Sequence, residues 1–162
     1  MKVIKDSDGK SWTLNVLTGT IQRIRAMVNV DLLKLIEGEL VMRLYQDLAT
    51  AVDCLYYACE VPADLTLDGW RNRWRGDAIE VALEQLLRDT ADFFPKARQG
   101  VVHKMIDSAK EFLAAAIGAA EAQMQVEKTK FLATMSANSV GTSSGSSPES
   151  SVLTLPVLPA AS

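Results

Sequence analysis

The sequence predicts a mainly α protein: a small helical domain with an N-terminal β-hairpin, a long C-terminal helix and a disordered tail. Three observations carry this expectation. From Ile21 onward apolar residues recur every three or four positions, the spacing that gathers them on one face of an α-helix. Residues 11–16 alternate polar and apolar instead, which is the period of a strand. Beyond Asn138 the composition turns to Ser, Gly and Pro, and the periodicity stops.

The chain of 162 residues fits one domain with an appendage, and its 48% hydrophobic content is ample for a core. The net charge of −3 leaves no positive excess to attract phosphate backbones. Met1 to Lys10 is too polar for a secretory signal, and no apolar run approaches the roughly 18 residues a membrane span needs. Cys54 and Cys59 lie about 140° apart on a regular helix, which disfavours a disulfide between them. Free, buried thiols in a reducing cytosol are the expectation.

Residues 1–16 read as the hairpin. Lys2-Val3-Ile4 is a short strand, Asp6-Ser7-Asp8-Gly9 carries turn chemistry, and Ser11 to Val16 returns with Trp12, Leu14 and Val16 facing inward. Thr18 or Thr20 is the expected cap of a helix from Ile21 to about Val28, which Asn29 ends. Asp31 caps a second, short helix, Leu32 to Glu37, stopped by Gly38. Leu40 to Cys59 has the composition of one central, buried helix. Leu44, Leu48, Val52, Leu55 and Cys59 form its stripe, and Val41, Tyr45 and Ala49 widen it.

Thr66 caps a short helix carrying Trp70 and Trp74 on one face, closed by Gly76. Asp77 is the expected cap of the next, whose stripe is Ile79, Leu83, Leu86 and Leu87. After Pro95 the helical pattern runs to about Ser136. Some forty residues would span about 60 Å, against about 30 Å for a folded core of this size, so the end of this helix should project or bend back. The domain boundaries expected are 1–115 for the hairpin and helical core, 116–137 for the helix extension, and 138–162 for the disordered Ser/Pro-rich tail.

A catalytic centre is not legible. His103 is the only histidine, with Asp107 one turn on, a pairing common on helix surfaces. Asp77, Glu80 and Glu84 share a face as the acids of any solvated helix do. The chain has no HExxH, CxxC, glycine-rich phosphate loop or GxSxG. No enzyme activity, cofactor or metal is therefore expected. The run Trp70-Arg71-Asn72-Arg73-Trp74-Arg75 offers cations and stacking faces, which single-stranded nucleic acid uses. The competing account makes both tryptophans core anchors, with Asp64, Asp68, Asp77 and Glu80 cancelling the field of the arginines. The better candidate is an apolar face on the long helix formed by Phe112, Leu113, Ile117, Met124, Phe131, Leu132 and Met135. It wants a partner helix, or burial on its own domain. The Ala-rich run Ala114 to Ala122 would admit a close neighbour.

The order of features resembles a known family. A strand pair containing Asp8-Gly9-Lys10-Ser11-Trp12 precedes the segment Thr20 to Leu35. Val52-Asp53-Cys54-Leu55-Tyr56-Tyr57-Ala58-Cys59 follows, then Gly76-Asp77-Ala78-Ile79 and Asp92-Phe93-Phe94-Pro95-Lys96-Ala97-Arg98. Over about residues 1–115 this is similar to the tail assembly chaperones of long-tailed bacteriophages. The resemblance implies a non-enzymatic protein of the bacterial host's cytoplasm. It would bind the tape measure protein and keep it soluble during tail assembly, with tail-tube subunits and a second copy of the chain as further candidate partners. Two other functions compete: a structural tail or tail-terminator component, and a single-strand nucleic-acid-binding module.

Overall fold

The computed structural model describes residues 2–138; the expected disordered tail, apart from Asn138, lies outside the described residues. The chain divides into two compact units, Met1–Gly118 and Ala119–Ser162. The expected fold class is the one observed. A two-stranded antiparallel sheet, β1 (Lys2–Lys5) and β2 (Ser11–Leu14), precedes six α-helices and one 3₁₀ helix among the described residues.

The hairpin pairs Ile4 with Trp12 and Lys2 with Leu14. Gly9 takes φ 81° in the turn, a backbone conformation that costs glycine little. Trp12, Leu14 and Val16 are all buried, as the alternation requires. An isolated hairpin is marginal in water, and this one is tied to the helices. The Asn15 amide donates to the Ala58 carbonyl at 3.1 Å and the Glu60 amide to Thr13 at 3.0 Å.

Helix α1 (Thr18–Val28) starts earlier than expected, and neither threonine caps it. Leu17 occupies the cap position without a side-chain bond, while the Thr20 hydroxyl donates to the Asn15 carbonyl, so the entry is fixed by a loop contact. Asn29 ends the helix in the left-handed region at φ 58°. Asp31 caps Leu32–Glu37 by accepting from the Leu33 amide, and that segment is 3₁₀. Gly38, at φ 78°, closes it.

The expected central helix is two helices, α2 (Glu39–Gln46) and α3 (Leu48–Ala58). Asp47 breaks it. At φ −114° and ψ 78° it leaves the helical region, and its carboxylate accepts from the Thr50 amide and hydroxyl at 3.1 and 2.6 Å. A mid-run aspartate offers the backbone an alternative to the helical ladder, and here that alternative wins as an N-cap. The break changes the faces: Val52 and Leu55 are buried as expected, but Leu48 is only half-buried and Ala49 is exposed.

Thr66 caps α4 (Leu67–Arg71) through the Gly69 amide. The helix stops before Trp74, so the two tryptophans meet through a turn, ring centroids 5.1 Å apart. Helix α5 (Asp77–Phe93) has Gly76 at its cap position, and Asp77 is its first residue rather than its cap. Its Ile79, Leu83, Leu86 and Leu87 are buried with Ala82 and Ala91. Helix α6 (Lys96–Asn138) runs without a break through 43 residues. Its Val102, Ile106 and Ala109, at i, i+4 and i+7, complete the core of the first unit. Among the described residues no helix is long and apolar enough to cross a membrane.

Candidate partner-binding surface

In the unit Met1–Gly118, Phe112 is 64% and Ile117 57% exposed, and Leu113 is half-buried. They follow directly on the buried stripe of α6. Ion pairs join the two helices: Arg88 bonds Glu84 and Asp107, and Lys110 bonds Glu84 at 2.6 Å. The bond from Lys110, helped by that from Arg88, outweighs the effect of burial and holds the Glu84 carboxyl below the usual range.

Past those pairs lies a groove of about 350 Å³ walled by Val81, Leu113, Ala114 and Ile117, with Tyr45 in the lining and Asp77, Glu80 and Glu84 at the polar side. Val81 is 68% exposed. The Tyr45 hydroxyl is buried with no hydrogen-bond partner, and burial, then the nearby Glu84 charge, pushes its pKa up to about 12. A second apolar groove of about 420 Å³ lies across α6, between Gly38, Met42, Val101, Met105 and Phe112. Val81 escaped the sequence reading because it sits off the stripe of α5. An isolated valine on a polar face gives no signal until the opposite wall is known.

In the unit Ala119–Ser162 every described side chain up to Ala137 is exposed. Met124, Phe131 and Met135 fall within about 40° of one another at 100° per residue, so they form one narrow stripe, with Leu132 flanking it. Val126 points the other way. The Ala-rich run Ala114 to Ala122 is exposed throughout.

The arginine–tryptophan run is not arranged for stacking. Trp70 is fully buried and its indole N–H donates to the Val52 carbonyl at 3.0 Å, and Trp74 is buried beside it. Arg71 makes a two-pronged bond to Asp53 at 2.8 and 2.7 Å, and Arg73 binds Asp6 at 2.7 Å. Both rings are buried and so not open to a base, and two of the three arginines are occupied. His103 contacts Asp92 at 3.2 Å, and Asp107, one turn on from it, is engaged by Arg88. Cys54 and Cys59 are free and buried, and burial pushes both thiols up to about 12.

No known protein family, curated protein or solved structure matches the chain.

Proposed function

We propose that the protein is a non-enzymatic tail assembly chaperone of a long-tailed bacteriophage, acting in the host cytoplasm to hold the tape measure protein in solution. The observation that carries this reading is the run of exposed apolar side chains on α6: Phe112 and Ile117 in the first unit, Met124, Phe131, Leu132 and Met135 in the second. A large exposed apolar face is a liability unless something covers it. Its i, i+7, i+11 spacing from Met124 to Met135 suits another helix, recognised side by side through apolar burial. A tape measure protein is a long helical chain with apolar stripes of its own. The resemblance in the order of motifs over residues 1–115 supports the reading, and the burial of Trp70 and Trp74 counts against the nucleic-acid alternative.

Co-expression with the tape measure protein of the same phage tests the reading. Phe131→Asp with Leu132→Asp should leave the circular dichroism of the chain unchanged, because both side chains are exposed within the chain. It should abolish co-purification and send the tape measure protein to the insoluble fraction. A folded double variant that still holds the client would place the binding surface elsewhere.

A further inference from the structure

We propose that the α5–α6 groove of one copy is filled by the α6 segment Lys128–Met135 of a second copy, so that two chains exchange these segments. The groove and the segment match in apolar character and in charge. The groove is apolar along Val81, Leu113, Ala114 and Ile117 and carries Asp77 and Glu80 on its polar side. Glu84 is taken up by Arg88 and Lys110, whereas Asp77 and Glu80 have no ion-pair partner among the described residues. Lys128, Phe131, Leu132 and Met135 stand at i, i+3, i+4 and i+7. They therefore share one helical face, a single cation leading three apolar side chains. Lys128 also lacks an ion-pair partner among the described residues.

An apolar segment preceded by a lysine, set into an apolar groove with two unpaired carboxylates, buries hydrocarbon while its charge meets charge at the rim. Every copy carries both halves at equal concentration, so self-recognition needs no other component. Exchange places two such contacts in one pair of chains and so doubles the area that a single segment covers, toward the roughly 1,000 Å² of a stable interface. The inference does not rest on the chaperone reading, since it is tested without a client.

The test uses the full chain. Val81→Cys and Leu132→Cys are made in separate chains, mixed and oxidised. Cys54 and Cys59 stay silent because they are buried with raised pKa values. The expected result is a linked product of twice the chain mass that is abundant only in the mixture. In sedimentation, Lys128→Glu should weaken self-association roughly tenfold, from two symmetric rim pairs. Adding Glu80→Lys to the same chain should restore it to within about threefold. A wild-type chain that remains monomeric at about 100 μM overturns the proposal. So does a mixture that gives no heterologous link, or a charge reversal that Glu80→Lys fails to rescue.

Discussion

Asp6→Ala should be among the most damaging single changes outside the apolar core. Asp6 sits in the hairpin turn, and its side chain is 0% exposed. One carboxylate oxygen accepts from the Lys10 amide at 2.8 Å and the Asp8 amide at 3.1 Å, fixing the turn. The other accepts from the Trp12 indole at 3.0 Å and from Arg73 Nε at 2.7 Å, fixing the hairpin to the loop after α4. Removing the carboxylate leaves a buried indole N–H unsatisfied, which costs about 1–3 kcal/mol. Arg73 loses its closer pair too, but it keeps Asp8 at 3.8 Å and its side chain is 28% exposed, so its share is smaller than for a fully buried ion. The sum is about 2–4 kcal/mol, or roughly 10 °C in melting temperature for a unit of this size. Asp6→Asn keeps the shape and one acceptor oxygen and should cost about half as much.

The pH dependence gives an independent check. Burial raises the Asp6 carboxyl, but the bonds from Arg73, Trp12 and Lys10 outweigh it and leave the pKa below the usual 3.8. Where the folded value lies below the unfolded one, the unfolded state binds more protons, and stability rises with pH. The contribution is therefore complete above about pH 5 and disappears as the pH falls through the folded value. Urea titrations at pH 7, 5, 4 and 3, read by circular dichroism, should show wild type losing more than Asp6→Asn over the acid interval. An Asp6→Ala chain within about 0.5 kcal/mol of wild type at pH 7 would refute the reasoning. Identical acid slopes for wild type and Asp6→Asn would do the same.

Leu55→Ala should cost about 2–5 kcal/mol in the same titration, because Leu55 is fully buried on α3, and Leu48→Ala clearly less because the break at Asp47 leaves Leu48 half-buried. Equal losses would mean that α2 and α3 act as one helix in solution. Cys54 and Cys59 should resist a thiol reagent in the native chain at pH 8 and react in full on unfolding, since only the thiolate is reactive and both values lie at about 12. Labelling within minutes would show the end of α3 opening.

The fold class was legible because it rests on periodicity, and periodicity reports which faces must be buried. The failures share one cause. Asp47, Thr20 and Asp77 are polar residues with a choice of backbone partners, and that choice depends on what the tertiary structure brings near. Asp47 could sit on a helix surface or cap a new helix, and its bonds to Thr50 decide the matter. Thr20 could cap α1, but the Asn15 carbonyl lies within reach of its hydroxyl. The clamp of Asp6 and Arg73 joins residues 67 positions apart, so no local pattern could announce it. The surface of α6 was legible for the opposite reason: an apolar stripe that outlasts its core is visible in sequence, provided the length of the core is judged correctly.

The hairpin is the rival docking surface, and its composition argues against it. Strand β1 has an unpaired outer edge among the described residues, and an incoming strand could extend it. But the strand is only Lys2–Lys5, with a lysine at each end, and Lys2 is held by Asp89 and Asp92 at 3.3 Å. Short, charged edges are how sheets discourage strand addition. Val3 is its one exposed apolar residue, so a strand docked there would gain backbone bonds with little hydrocarbon burial. On α6 the balance is reversed. The backbone is satisfied within the helix, and the unmet demand is hydrocarbon from Phe112 to Met135. A partner that answers it must bring an apolar helical face, whether a client's or that of a second copy. Under the two proposals above, client and second copy would compete for Phe131.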